Sequence, residues 1–447
     1  MFNKIVENFA DDAIKQGSYA SKDELLEVVK EIEPVLKSNK DKSLEEIVSA
    51  LLPDIINQAN EILSKYPIPG YVMQNNSGII NVTMYGGDID SKQNKMNKDA
   101  IFDVASITKL FTQIISYNLI KEGYYNFDSK VSELDPRYKN ATNLDIKTIM
   151  EFAFSYNLEG NINNAKSVEE SNQILRTLSV REKNQYNYID FGMLCLKDVM
   201  ENVTGLSFEE LVNKYIVNKL NLKNTFLNVP EEKIDLVTGT PNAKIGKNND
   251  MKAIKLGGFS GNAGVLSSSS DLIQIVKNLY INSNFFPKEY LSHVYTESEL
   301  SKQADMSRGV MGNACTGVGS FVTNLSPTNE SAYQGSTRTQ VNMSVQNGYL
   351  NASTILLNPG SMGLDRALEL EERLNKKFVT QYEFEGQDYT QFASQIILPV
   401  SSVVKPMSYE MAKLKLKLTF LNTLIKEYEP NYNKDVNIEI QNGILKK

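Results

Sequence analysis

The chain has 447 residues, 41% of them hydrophobic, with 47 Lys plus Arg against 54 Asp plus Glu and a formal net charge of −7. That is enough apolar material for two or three domains and excludes a disordered chain. The acidic balance argues against general nucleic-acid binding, which calls for a basic surplus. Two cysteines, Cys195 and Cys315, cannot frame the fold, and the single histidine, His293, excludes a zinc site that needs two.

Residues 1–20 carry Glu7, Asp11 and Asp12 among their apolar residues, so they do not read as a secretory leader. No uncharged apolar run of about 18 residues occurs, so no membrane span is expected; the default location is the cytoplasm. Residues 21–65 read as helical: Ser21 with Glu24 and Ser43 with Glu46 form capping-box pairs, and Leu25, Val28, Val29 and Ile32 follow helical spacing. Pro67 and Pro69 end that region. Tyr71–Gln74 and Ile79–Met84 then read as a hairpin around Asn75–Gly78. A helix is predicted from Ser106 to about Glu122, stopped by Gly123. Residues 124–255 alternate helical patterns with Asn-rich loops and show no strong strand pair.

After Lys255 the pattern changes. Gly257, Gly258, Gly261 and Gly264 make a small-residue stretch, and serines 267–270 precede an apolar helix at Leu272–Tyr280, with Ser269 or Ser270 as N-cap. Thr339–Val345 and Tyr349–Leu357 read as strands joined at Asn347-Gly348, a strong hairpin signal. Leu364–Leu374 and Tyr409–Tyr428 read as helices. The fold class expected is α/β (α+β): an antiparallel sheet flanked by helices, with an inserted all-helical domain and an N-terminal helical extension. The division is 1–66 for the extension, 67–110 with 256–400 for the sheet domain, 111–255 for the helical domain, and 401–447 for a C-terminal helix and tail.

Chemistry is suggested first by Ser106-Ile107-Thr108-Lys109. On a helix, positions i and i+3 share a face, so the amine can reach the hydroxyl. A serine hydroxyl becomes a useful nucleophile only when a neighbouring base takes its proton, and a buried lysine can serve. Ser402-x-x-Lys405 repeats the spacing, but Pro406 argues against a helix there. The glycine stretch 257–272 lacks the Gly-Lys-Ser/Thr ending of a phosphate loop. His293 has no acidic neighbour in sequence and reads as a surface or packing residue. Cys195 lies on an apolar helix face and reads as core. No spacing suggests a metal site, and no cofactor is expected.

Residues 100–131, AIFDVASITKLFTQIISYNLIKEGYYNFDSKV, resemble the serine β-lactamase and penicillin-binding-protein superfamily, and more closely the branch of class C β-lactamases, D,D-peptidases and esterases. There an apolar-Phe-x-x-Ala-Ser-x-x-Lys segment opens the nucleophile helix. YIDFGMLCLKDVMENVTG, residues 188–205, resembles the family's Tyr-Ser-Asn/Asp element, which puts Tyr188 at the catalytic tyrosine and Asp190 at the third position. Residues 257–264 resemble its Gly-x-x-Gly-x-Ala-Gly segment, with Asn262 where His is common. AYQGSTRTQ, residues 332–340, resembles its third motif through Gly335, Thr337 and Thr339; Tyr333 stands where Lys or His would, Gln334 where Thr would, and Arg338 where a second Gly would. The resemblance spans roughly 67–375. The family's Thr-x-Ser-Gly segment is replaced by EFAFSYNLEG, residues 151–160.

The resemblance implies a serine hydrolase working through a Ser106 acyl-enzyme on an ester, amide or peptide. Tyr188 and Lys109 share the base work, and which is formally the base stays open. A free phenol titrates near ~10, so the adjacent ammonium must carry much of the activation. Asp190 would favour a charged Lys109. The backbone N–H groups of Ser106 and Ser336 would hold the oxyanion, and Tyr333, Gln334, Gly335 and Arg338 would border the substrate. An acyltransferase on the same scaffold and a non-catalytic ligand- or partner-binding protein are the alternatives. The expected partner is a small-molecule substrate, with no nucleic acid and no membrane, and the chain is expected as a monomer or homodimer.

Overall fold

The computed structural model describes residues 2–18, 20–66, 68–239, 246, 248–290, 323, 325–326, 330–392 and 400–446. His293 and Cys315 lie outside the described residues. Seven strands build the main sheet: β1 (Gly70–Ser77), β2 (Ile80–Gly87), β7 (Ser331–Gly335), β8 (Thr339–Gln346), β9 (Tyr349–Leu357), β12 (Val436–Gln441) and β13 (Ile444–Leu445). The small pairs are β3 (Ile101–Asp103) with β6 (Leu266–Ser268), β4 (Phe154–Asn157) with β5 (Ser179–Lys183), and β10 (Val379–Phe384) with β11 (Gln387–Phe392). The main sheet runs β13-β12-β2-β1-β9-β8-β7, antiparallel throughout except where β12 lies parallel to β2. This is the expected mixed class with a mostly antiparallel sheet.

Strand alternation sends neighbouring residues to opposite faces. Val72 joins one core and Met73 the other; Leu356 and Leu357 divide in the same way. The first core holds the helices Thr108–Lys121, Asp190–Thr204 and Ser269–Ile281. The second holds Phe2–Lys15, Lys22–Lys30, Pro53–Lys65 and the long C-terminal helix Val400–Tyr428. Both predicted capping boxes are formed, at Ser21 with Glu24 and Ser43 with Glu46. The Asn347-Gly348 turn takes φ +51 and +80, the left-handed pair that a tight hairpin needs.

The structure departs from the expectations in several places. Ser268, not Ser269 or Ser270, caps the helix Ser269–Ile281, and the tail after the C-terminal helix adds β12 and β13 to the main sheet. Pro406 lies inside the C-terminal helix rather than ending it; Val403, Val404 and Met407 are buried around it, and that burial outweighs the lost backbone hydrogen bond. β4 and β5 form a strand pair in the region read as helices and loops; a bulge between Ser155 and Tyr156 breaks the alternation that would have marked it. The first hairpin extends through Asn75–Ser77, and its turn falls at Gly78-Ile79.

The helix Thr108–Lys121 runs through the middle of the first core, with 12 of its 14 residues buried. A helix buried all round must satisfy its polar side chains internally. Thr112 donates to the Gly261 carbonyl at 2.7 Å and Gln113 to the Met150 carbonyl at 3.1 Å. The helix is thereby fixed against both the segment before β4 and the loop 257–264, whose Asn262 carbonyl accepts the Lys109 amine.

Candidate active site

Ser106 sits in a 3-10 turn, Ala105–Ile107, that runs directly into the central helix. Ala105 takes φ +44, which an L-residue adopts only when its surroundings hold it. The Asp103 carboxylate supplies the hold by accepting the Ala105 N–H at 2.8 Å, and its second oxygen accepts the Asn249 N–H at 2.8 Å. Burial pushes this carboxyl up to about 6, against the two donors that favour its anion. Asp103 therefore ties the serine turn to the segment that leads into the short helix Met251–Lys255.

The Lys109 side chain is completely buried. Its amine donates to Ser106 Oγ at 2.8 Å and to the Asn262 carbonyl at 3.2 Å, and pairs with Asp190 Oδ1 at 2.9 Å. The same nitrogen lies 4.9 Å from the centre of the Tyr188 ring. Residues 106, 109, 188 and 190 thus converge on one amine.

Tyr188 is held from behind. Its ring stacks on Phe152, with centroids 5.3 Å apart and planes 14° from parallel. The Asn187 N–H donates to the Phe152 carbonyl at 2.8 Å, so the loop before Asp190 is stitched to the segment that becomes β4. The replaced segment 151–160 therefore supports the tyrosine directly. Asp190 opens the helix Asp190–Thr204, where a carboxylate also faces the favourable end of the helix dipole.

Burial alone would pull the Lys109 amine down, but the Asp190 carboxylate and the Tyr188 phenol outweigh it and hold the ammonium above its ordinary range. Burial would likewise push Asp190 up, and Lys109 with Lys252 outweighs it, holding the carboxyl well below the usual range. Lys252, on Met251–Lys255, pairs with Asp190 Oδ2 at 2.9 Å. Sequence reasoning did not single out Lys252, because a lysine on a short helix of a lysine-rich chain carries no spacing signal. Its presence changes the electrostatics, since Asp190 is balanced by two cations rather than one. Asn262 likewise contributes its backbone carbonyl, which no side-chain pattern reports.

β7 is the edge strand beside the serine turn. A Cβ on Gly335 would lie 2.4 Å from the Val104 carbonyl and 2.3 Å from Thr339 Oγ1, so only glycine allows this approach. Thr337 Oγ1 donates to the Asp103 carbonyl at 2.6 Å. These contacts place Ser336, which is exposed, next to the 103–106 turn. Gly335→Ala is expected to cost about 1–3 kcal/mol as overpacking. By shifting the strand it should also lower kcat by about tenfold to a hundredfold. Urea unfolding and steady-state kinetics on one preparation check both.

Two expectations about this strand are revised. Tyr333 is 4% exposed, and its hydroxyl donates to Gln113, one helical turn past Lys109. Strand alternation points it into the first core, so it packs beneath the site instead of bordering substrate. Arg338 is 2% exposed with φ +66, and its guanidinium donates to the Ser336 carbonyl at 2.8 Å. It braces the strand end from within and does not stand in as a surface cation. Gln334, half-buried and paired with Gln340, faces away from Tyr333. Cys195 is fully buried, as its helix face implied, and burial pushes its thiol up. Among the described residues no cluster of three or more His, Cys, Asp or Glu side chains could hold a metal ion, and no helix is long and apolar enough to cross a membrane.

A mixed sheet with a serine, lysine and tyrosine gathered at the head of a buried helix defines a β-lactamase-like protein. The Beta-lactamase family model matches residues 62–309, more than half of the chain, and the chain belongs to that family. Among solved structures it is similar to EstCE1, a hydrolase with promiscuous acyltransferase activity, with a TM-score of 0.56 at 14% identity over 73% of this chain and 98% of that one. A class C β-lactamase superposes with a TM-score of 0.56 at 15% identity, over 72% of this chain and 94% of that one. SurE with D-Leu gives a TM-score of 0.51 at 13% identity, over 73% of this chain and 75% of that one. At these identities the likeness is one of fold. No curated protein sequence matches the chain.

Proposed function

We propose that the protein is a serine hydrolase that cleaves a small ester or amide through a Ser106 acyl-enzyme. The observation that carries this reading is the Lys109 amine, 2.8 Å from Ser106 Oγ and 2.9 Å from Asp190, with the Tyr188 ring beside it. The Lys109 ammonium stabilises negative charge on the Tyr188 oxygen, which takes the Ser106 proton as Oγ bonds to the substrate carbonyl carbon. Backbone N–H groups of Ser106 and Ser336 receive the oxyanion; losing one such donor typically costs about 3–4 kcal/mol in the barrier. Collapse of the tetrahedral adduct breaks the bond to the leaving group, which collects the proton from Tyr188. Water then attacks the acyl-enzyme carbonyl, its proton passing to Tyr188, and collapse of the adduct breaks the ester bond to Ser106 Oγ, which takes that proton from Tyr188 and restores both residues.

If an alcohol or amine replaces that water, the same steps give acyl transfer. The activity named for EstCE1 makes this the second reading. Labelling with a fluorophosphonate tests the covalent step: one adduct is expected, mapping to the peptide that contains Ser106. A fluorescent penicillin is expected to label slowly or not at all, because position 333 supplies a buried phenol where relatives carry Lys or His. The absence of any fluorophosphonate adduct, together with no turnover of p-nitrophenyl esters, would replace the hydrolase by a ligand-binding descendant of the fold.

A further inference from the structure

The hairpin β10–β11 lies beyond the residues matched by the family and forms a strap between the two halves of the molecule. Its base is anchored on the sheet side. Phe378, Val379 and Phe392 belong to the second core, and the Glu371 carboxylate accepts the Phe378 and Val379 N–H groups at 3.0 and 2.8 Å. Its tip reaches the helical side. Glu385 accepts the Val168 N–H at 3.0 Å, at the start of the helix Val168–Leu175, and the Phe384 ring lies 5.1 Å from the Lys255 ammonium. Tyr382 and Tyr389 stack across the hairpin, 5.3 Å apart and 12° from parallel, which stiffens it.

Between this strap and the segment 248–259 is a cavity of about 450 Å³. Leu227, Ile254, Phe259, Phe384 and Tyr389 give it apolar walls. Its charged lining residues are Glu385 and Asp388, both acidic; Lys255, which lies against Phe384, is engaged by the Asn163 and Ala165 carbonyls at 2.7 and 2.8 Å. Such a lining suits a part-apolar group and repels an anion.

The cavity and the serine site share their supports. Asn248 lines the cavity, and the next residue, Asn249, donates to Asp103 in the turn before Ser106. Phe259 lines it too, and three residues on, Asn262 accepts the Lys109 amine. Three residues span at most about 11 Å of chain, so the wall of the cavity lies no farther than that along the backbone from the partner of Lys109.

We propose that this cavity binds the uncharged, part-apolar portion of the substrate, such as an acyl chain of medium length, and that the β10–β11 strap sets that specificity. The proposal rests on the hydrolase reading for its role and on the cavity alone for binding. The chain contains no tryptophan, so Tyr389→Trp installs a single reporter in the wall. Titrating this variant with octanamide should give a saturable change in emission, and octanoate at pH 7 should bind at least about tenfold more weakly. In parallel, wild type should prefer p-nitrophenyl octanoate over p-nitrophenyl acetate in kcat/KM. Gln387→Trp, which narrows the cavity from an exposed position, should reduce the ratio of kcat/KM for p-nitrophenyl octanoate to that for p-nitrophenyl acetate about tenfold or more. Emission that ignores octanamide, equal binding of octanoate, or a chain-length preference unchanged in Gln387→Trp would each overturn the proposal. Binding of octanamide without turnover of either ester would keep the site and remove the hydrolase reading; turnover without binding would do the reverse.

Discussion

Ser106→Ala is expected to lower kcat/KM for a neutral p-nitrophenyl ester by about 10⁴–10⁶, with unfolding free energy changed by less than about 1 kcal/mol. The two halves of that expectation come from the same geometry. Ser106 is half-buried and its hydroxyl accepts one bond, from Lys109. Removing the hydroxyl leaves that amine with Asp190 and the Asn262 carbonyl, so no buried charge loses its counter-ion. Chemistry without the nucleophile falls to what the oxyanion donors and binding alone provide. The competing Ser402-x-x-Lys405 pair gives a built-in control. Its lysine is exposed on the C-terminal helix, which packs against the second core, on the far face of the sheet from the central helix. Ser402→Ala should therefore retain full activity. Kinetics of both variants at matched folded concentration decide the point; activity surviving Ser106→Ala and vanishing in Ser402→Ala would move the site.

The parts legible in the sequence were those set by local chemistry. Capping boxes at Ser21 and Ser43 fix two helix starts through contacts three residues apart, and Asn347-Gly348 fixes a hairpin through two backbone angles. The helical spacing of Ser106 and Lys109 gave their hydrogen bond directly. What the sequence withheld depends on distant segments. β12 adds to β2 across more than 350 residues, and nothing in Val436–Gln441 names its partner. The strap β10–β11 meets Val168 through one carboxylate at its turn. The inward aim of Tyr333 follows from strand phase, which the motif leaves unstated: a phenol in a lysine's place keeps the position but bonds Gln113 in the core. Lys252 joins the site from a short helix that Asp250 caps and that follows Asn249, whose N–H the Asp103 carboxylate accepts.

Asp190→Asn is expected to lower stability by about 3 kcal/mol at pH 7, near the lower end for breaking a buried pair because Asp190 keeps some solvent contact. The pH dependence has a definite sign. Asp190 titrates below its unfolded value, so its contribution is present above about pH 4 and is lost only as pH falls through its lower folded value. Lys109 titrates above its unfolded value, so its contribution is complete below about pH 10 and is lost as pH rises through its higher folded value. The stability difference between wild type and variant should therefore shrink in strong acid, be largest from about pH 5 to pH 7, and narrow towards pH 9 as the buried Lys109 of the variant sheds its proton; urea unfolding at pH 5, 7 and 9 measures both the plateau and the narrowing. The same variant separates the two candidate bases. Without the carboxylate, burial dominates at Lys109 and its amine loses its proton more readily. If neutral Lys109 were the base, Asp190→Asn would raise kcat/KM at pH 7. With Tyr188 as the base, the variant weakens the charge that stabilises the phenol oxygen, and kcat/KM should fall by about 10²–10³. A rise in activity would pass the proton from Ser106 to Lys109 and leave Tyr188 to orient it.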